Sequence, residues 1–287
     1  MSYHLKKKFR ALLWRDVSWK VEYPSIIRES ELVFLLKDKF PFHLGSGAQG
    51  DVYLAYHLPS LSYVAVKYFR SATESLMEVF REAACLCLAG KSGLSPKLLG
   101  LIPNNSLSDH ERYGIVMEFI GDKTTHEAFS LKGVIKDCKV FPDGDFIGLF
   151  ESFLISVLNM HRSGLILADL KVDNCLLDRS KGEWKHIDMG MTVPKGHQVN
   201  YRETYQIAAE NAHSFLRTYR QVAPETVFYN YMDEKSDVYR IGRIMNYVSR
   251  IRPELEKHLA PLAKTCLMKA TLRPTVSSLI EKIHAIK

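Results

Sequence analysis

What the chain has little of sets its first limits. Only five of its 287 residues are cysteine (Cys85, Cys87, Cys138, Cys175 and Cys266), an odd number, widely spread and without a CxxC pair. That pattern argues against a disulfide framework or a zinc site, so reduced thiols in a cytoplasmic or nuclear protein are expected. Cys85 and Cys87 fall in an apolar helical stretch, where burial is the expected role. No apolar run approaches the roughly 18 residues that a membrane-spanning helix needs. The opening residues Met1 to Lys8 lead into no apolar stretch of the kind a secretory signal carries. There is no Met-Gly start for myristoylation, and the terminal His-Ala-Ile-Lys offers no cysteine for prenylation. Internal repeats and low-complexity tracts are absent as well.

What is there is the composition of a folded domain. Hydrophobic residues make up 46% of the chain and charged residues 25%, enough to bury a sizeable core without the charge excess of disorder. The net charge of +7 is uneven. Residues 1–30 carry seven basic side chains (Lys6, Lys7, Lys8, Arg10, Arg15, Lys20, Arg28) against three acidic ones, a surplus of four. Such an arm could dock an acidic partner or an anionic membrane surface; equally it is a solvated face with Leu12, Leu13, Trp14, Val17 and Trp19 packed behind it. No nucleic-acid partner is expected.

Hydrophobic periodicity divides the chain into two halves. From about 40 to 120, short β-rich runs dominate (51–56, 63–69 and 113–119), interrupted by one helical pattern over 74–89. From about 122 onward longer helical patterns take over, at 146–161, 236–250 and 254–268, with Arg252-Pro253 between the last two. The fold class expected is α+β: a small sheet-rich lobe at about 38–117, a connection at 118–121, and a larger helical lobe at 122–287. Residues 1–37 then form a basic extension.

Two constellations carry chemistry. Gly45-Ser46-Gly47-Ala48-Gln49-Gly50-Asp51-Val52 has glycines spaced so that backbone can approach phosphates closely. The run after it reads as strand, which sets it apart from a dinucleotide fold, and no Gly-Lys-Ser/Thr follows as in a Walker-type loop. Lys67 ends the apolar run Val64-Ala65-Val66 and needs an anionic partner, which Glu82 in the next helical stretch can supply. In the second half, Leu167-Ala168-Asp169-Leu170-Lys171-Val172-Asp173-Asn174 precedes Asp188-Met189-Gly190. Phosphoryl transfer needs a carboxylate to take a hydroxyl proton, hard oxygen ligands for a metal, and a cation on the moving phosphoryl group. Asp169, Asn174, Asp188 and Lys171 are the right chemical types.

With these motifs in this order the chain resembles the eukaryotic-type protein kinase superfamily over about residues 38–285. The resemblance implies a bilobal kinase fold that binds ATP with Mg2+ or Mn2+ and phosphorylates protein substrates. Ser46, Ala48 and Gln49 belong to the loop in which Gly45, Gly47 and Gly50 cover the phosphates. It makes Lys67–Glu82 the phosphate-anchoring pair and Asp169 the catalytic base. Lys171 is the γ-phosphate contact, and Asn174 and Asp188 are metal ligands. Val52, Ala65 and Leu176 match the residues around adenine, Met117 the gatekeeper, and Glu118–Ile120 the hinge backbone that bonds the base. Ala223-Pro224-Glu225 with Arg273, the helix residue Asp237, and Thr218 as a contact of Asp169 and Lys171 match later family features. Lys171 in Asp-Leu-Lys-x-x-Asn resembles the serine/threonine branch.

One motif departs from the family. The usual His-Arg-Asp is Leu167-Ala168-Asp169. The missing arginine normally receives an activation-loop phosphate, so activity independent of such a phosphate is expected. The missing histidine packs in an apolar column that Leu86, Leu167 and Met189 can rebuild. The degenerate motif also leaves a second reading, a pseudokinase acting as an ATP-binding scaffold or allosteric partner. Residues 188–225, an activation segment of 38 residues, carry a helical pattern at 204–216 that could block a substrate groove, form a partner surface, or simply pack.

Overall fold

A computed structural model describes residues 24–47, 49–70, 76–103, 112–197 and 201–287. The described chain divides into two compact units. One runs to Ala128 and also takes in Lys185–Gly190; the other comprises Phe129–Trp184 and Met191–Lys287.

The first unit is built on a seven-stranded sheet. Its spatial order is Ser25–Ile26, Leu98–Ile102, Gly114–Glu118, Ser62–Phe69, Gly50–His57 and Leu32–Phe34, with His43–Ser46 also paired to Gly50–His57. Among the described residues of this sheet, the Ser25–Ile26 pairing is parallel and the others are antiparallel. The central strand Ser62–Phe69 is rich in β-branched and aromatic residues (Tyr63, Val64, Val66, Tyr68, Phe69) and is buried over most of its length, as suits a strand paired on both edges. Ile27, Leu32, Ala55, Val64, Val66, Ile102 and Val116 form a core cluster on this sheet. The stretch 25–37, read from its place beside the basic arm as extension, therefore contributes strands and core. The rest of that arm, residues 1–23, lies outside the described residues.

The helix Leu76–Lys91 fills the place of the 74–89 pattern and buries Val79, Phe80, Ala83, Ala84, Leu86 and Ala89. The same face buries Glu82, so the helix delivers one carboxylate into an otherwise apolar layer.

The second unit is mainly helical. Asp143–Arg162 buries Phe146, Phe150, Phe153, Leu154 and Val157, with Asp143 and Asp145 in its first turn and Arg162 in its last, charges favourable to the helix dipole. Glu234–Ile251 starts at an Asp233 cap, whose side chain accepts from the amides of Lys235 and Ser236. Gly242 lets this helix approach Glu256–Cys266 closely, since a Cβ there would stand 2.6 Å from the Cys266 Cβ. The predicted 254–268 helix is instead a 3-10 turn, Pro253–Leu255, leading into Glu256–Cys266. Arg252, between the two helices, is fully buried. Its guanidinium donates to the carbonyls of Val134 and Ile135, which end the helix Leu131–Lys136, and to Asp143 at 2.7 Å.

The helical pattern at 204–216 is broken. Tyr201–Thr204, Ala209–Asn211 and Ala212–Thr218 form three short pieces, and Gln206 between them has a φ of 50°. Tyr201 and Ala212 are buried with Ile166, Ala168, Val193 and Val222, so the aromatic and alanine spacing serves packing rather than one long helix.

Candidate active site

In the first unit, cross-strand register collects one set of side chains on one sheet face. Val52 lies opposite Lys67, and Ala65 lies opposite Met117. Because residues two apart in a strand share a face, Val52, Ala65, Lys67 and Met117 all point the same way. The Lys67 ammonium donates to both Glu82 oxygens at 2.8 Å and to Asp188 Oδ1 at 3.2 Å. Burial works against its charge, but the carboxylates of Glu82 and Asp188 more than offset this and hold Lys67 above the ordinary lysine value.

The glycine loop meets this cluster through Gln49. Lys67 also donates to Gln49 Oε1 at 3.4 Å, and a Cβ on Gly190 would stand 2.4 Å from that same oxygen. The Gln49 amide thus lies against Gly190, and it would have to swing aside for any larger residue there. Gly50 has a stricter reason: a Cβ there would be 2.1 Å from the Tyr68 carbonyl oxygen. Gly45 and Gly47 meet no such obstacle among the described residues. Ser46 donates to Asp51 at 2.7 Å, and Arg70 holds the Asp51 carboxyl well below the usual carboxylate range. Ala48 lies outside the described residues. Met117 and Ile120 are buried, and the Glu118 amide donates to the Lys97 carbonyl at 2.9 Å. That amide is therefore spent within the fold.

In the second unit, the strand Leu165–Ile166 pairs with Val193–Pro194 and leads into the segment that carries Asp169. Asp237, fully buried, accepts from the amides of Leu167 and Ala168 and from His161 Nε2, each at 2.9 Å. Three donors on one carboxylate pin the approach to Asp169. Ala168 has a φ of 58°, a left-handed conformation that costs an alanine about 1 kcal/mol or more and persists where the surroundings enforce it. Asp169 Oδ2 then accepts from Lys171 Nζ at 2.7 Å and Asn174 Nδ2 at 3.2 Å. Leu176, matched to the adenine site, sits half-buried in the strand Cys175–Asp178.

Similarity to known proteins agrees with this arrangement. The protein kinase domain model matches residues 40–280, most of the chain. The chain belongs to the protein kinase domain family. The fold is correspondingly α+β, with one β-rich and one helical unit. Mitogen-activated protein kinase kinase 2 of Arabidopsis thaliana is 24% identical over 204 residues, covering 70% of this chain and 50% of that protein. Sperm motility kinase 2B of Mus musculus is 25% identical over 71% of this chain and 38% of its own length. Serine/threonine-protein kinase nekl-2 of Caenorhabditis elegans is 25% identical over 52% and 39%. The chain spans half or less of the length of these relatives.

Two features of the kinase domain escaped the sequence reading, and one expectation fails. His161 braces Asp237 from the end of an amphipathic helix, where nothing in its neighbours distinguishes it from a surface histidine. Arg240 is 3% exposed and donates to Asp169 Oδ1 at 3.2 Å. Its signal was a cation one turn after Asp237 on the buried face of the helix. Thr218 does not reach Asp169 or Lys171: it is exposed, and its hydroxyl donates to the Ser214 carbonyl at 3.2 Å. The local helix Ala212–Thr218 offers that carbonyl one turn back, a partner threonine readily takes. The Glu225–Arg273 pair does form, bidentate and buried, with Arg273 Nη2 at 2.9 Å from Glu225 Oε2.

The donor chemistry suits magnesium rather than zinc. Among the described residues no three His, Cys, Asp or Glu side chains cluster as a metal cage. Magnesium needs no such cage, since it is ordinarily held by one or two carboxylates, waters and substrate phosphates. The Asp188 carboxylate and the Asn174 amide oxygen are each, taken singly, hard donors of the kind magnesium accepts. No described helix is long and apolar enough to cross a membrane.

Proposed function

We propose that this kinase domain is catalytically active and transfers the γ-phosphate of ATP to serine or threonine hydroxyls of protein substrates. The observation that carries this reading is the three-way contact of Lys67 with Glu82 and Asp188. Burying a lysine with two carboxylates is expensive and gives the sheet no packing advantage, so a ligand-handling role is the reason to keep it.

Each residue then has one task. Lys67, oriented by Glu82, binds the non-transferred phosphates, with the Gly45–Gly50 loop over them; Val52, Ala65, Met117 and Leu176 enclose adenine. Since the Glu118 amide is occupied, the hinge donor to the base comes from the backbone beyond it, at Ile120. Asn174 and Asp188 hold Mg2+, which when bound neutralises phosphate charge. Asp169 accepts the proton as the acceptor oxygen bonds to γ-phosphorus and the bond from phosphorus to the β,γ-bridging oxygen breaks, releasing ADP. Lys171 steadies the charge on the moving phosphoryl group. Ser/Thr preference rests on Lys171 and on the relatives' names. Ala168 cannot bind an activation-loop phosphate, so activity is independent of one. Domain limits of about 38–287, with a hinge near 118–121, accompany this proposal, the strands within 25–37 being an added edge packed on its sheet.

The test is a radiolabelled-ATP assay on wild type, Asp169→Ala and Lys67→Ala with Mg2+ or Mn2+. Transfer by wild type alone, unchanged by prior phosphatase treatment, is expected. A second reading, a pseudokinase scaffold, is favoured by one observation: both Asp169 oxygens are already engaged, by Lys171 and Asn174 on one side and Arg240 on the other. Nucleotide binding without transfer under either metal, in a folded chain, would establish it instead.

A further inference from the structure

A cavity of about 210 Å³ opens within the helical unit beside the segment that carries Asp169. Four cationic side chains line it: Lys171, Arg220, Arg240 and Arg243, with Gln221 and Tyr247 adding polar groups. Two of these, Lys171 and Arg240, are the residues that hold the two oxygens of Asp169. The cavity therefore shares a wall with the proposed base. Asp169 supplies one countercharge for those two cations. Arg220 and Arg243 make no ion pair among the described residues. Arg220 Nε donates only to the Arg217 carbonyl, at 3.2 Å, which orients its guanidinium without neutralising it. The nearby carboxylate of Asp173 is taken by Lys132 at 3.0 Å.

No acidic side chain lines this hollow, so its excess of positive charge is left for a ligand. Guanidinium groups are matched to carboxylate and phosphate oxygens, which they bind with paired, charge-assisted hydrogen bonds. An extended peptide advances about 3.3–3.6 Å per residue, so a side chain one to three positions from an acceptor hydroxyl at Asp169 reaches a site along the same wall.

We propose that this cavity is an acceptor-specificity site, selecting protein substrates with a carboxylate or phosphate side chain within three residues of the phosphorylated hydroxyl. The inference rests on the kinase reading above and names the substrate class for it. Like charge facing like charge excludes basic flanks, so the site selects by rejection as well as by attraction.

The test uses the whole chain and a set of serine acceptor peptides that differ only at the flanking positions, carrying phosphoserine, glutamate, alanine or lysine. Relative kcat/KM is expected to fall in the order phosphoserine or glutamate, alanine, lysine, with at least about a tenfold step from the acidic peptides to alanine. Phosphoserine well above glutamate identifies a previously phosphorylated substrate; parity identifies an acidic one. The charge-reversed variant Arg220→Glu/Arg243→Glu, checked for folding by its thermal melt, is expected to prefer the lysine peptide. The same peptides are measured by fluorescence anisotropy without ATP. A chain that transfers nothing would refute the kinase reading, while its binding order still tests the cavity. Equal binding and equal turnover of glutamate and alanine peptides would overturn the inference, as would an unchanged preference in the reversed variant.

Discussion

Arg240 Nη1 donates to Asp169 Oδ1 across 3.2 Å, although 71 residues separate the two in the chain. The arginine comes from the buried face of Glu234–Ile251, one turn beyond Asp237, which itself anchors the amides of Leu167 and Ala168. One helix thus fixes both the approach to Asp169 and its carboxylate. Tyr201 of the activation segment extends the chain of contacts: burial pushes its phenol up, against the pull of the Arg240 guanidinium that hydrogen-bonds it. Where the family has an arginine next to the catalytic aspartate, this chain brings one in from a neighbouring helix.

Arg240 is accordingly a positioning residue. A charge-assisted hydrogen bond is worth about 1.5–3 kcal/mol, so Arg240→Met is expected to lower kcat about 10- to 100-fold with KM for ATP unchanged. Arg240→Lys recovers part of the loss. Steady-state kinetics with circular dichroism checks this; an unchanged kcat in a folded Arg240→Met protein refutes the role.

The glycines of the phosphate loop differ in why they are glycine. Gly50→Ala puts a carbon about 2.1 Å from the Tyr68 carbonyl oxygen, backbone that cannot swing aside. It is expected to destabilise the fold by about 1–3 kcal/mol. Gly45→Ala meets nothing within 4 Å and leaves the urea midpoint near wild type, while weakening ATP binding. Equal midpoints for the two variants would contradict this assignment.

Lys67 has a raised pKa in the fold, where Glu82 and Asp188 outweigh the cost of its burial. A group raised on folding contributes stability that is complete below its unfolded value of 10.5 and is lost as pH climbs through the higher folded one. The stability gap between wild type and Lys67→Met is therefore constant from pH 7 to 9 and narrows above about 10.5. Urea titrations at several pH values measure it; a gap that narrows already below pH 9 would place the Lys67 titration elsewhere.

Glu225 and Arg273 form a buried bidentate pair. Removing one partner leaves the other charge uncompensated, so Arg273→Leu is expected to cost about 3–5 kcal/mol. The double variant Glu225→Leu/Arg273→Leu is expected to cost less than Arg273→Leu alone. Chemical denaturation of both variants decides the matter.

The thiols differ in access. Cys85, Cys175 and Cys266 are fully buried, and burial raises all three, Cys266 to about 12. Cys138 is exposed and Cys87 half-buried. Alkylation of native protein at pH 8 is expected to label Cys138 first and the buried three only after unfolding. Peptide mass spectrometry over time reads the order, and early labelling of Cys175 would show that its strand opens.

Much of the site was legible in the chain because its parts are local. Glycine spacing, the lysine after an apolar strand and the Asp-x-Lys-x-x-Asn run are short patterns whose chemistry depends on residue type. Periodicity located three strands of the sheet and the helix that carries Glu82 to within about two residues, and missed Ser25–Ile26, Leu32–Phe34, His43–Ser46 and Leu98–Ile102. It failed at 204–216, where alanine and aromatic spacing fits a helix but the chain is broken at Gln206 and buries Tyr201 against the catalytic segment. It failed again at Thr218, whose hydroxyl is captured one turn back in its own helix by the Ser214 carbonyl.

The sequence by itself determined the candidate groups, because Lys67, Glu82, Asp169, Lys171, Asn174 and Asp188 are singled out by chemical type and order. Tertiary structure alone decided what surrounds them. Arg240, His161 and the cationic cavity unite residues from distant segments, and sequence spacing has no period at such separations. A charge on a helix face looks the same whether it meets water or Asp169; burial, which depends on every neighbouring element, is what makes Arg240 a partner.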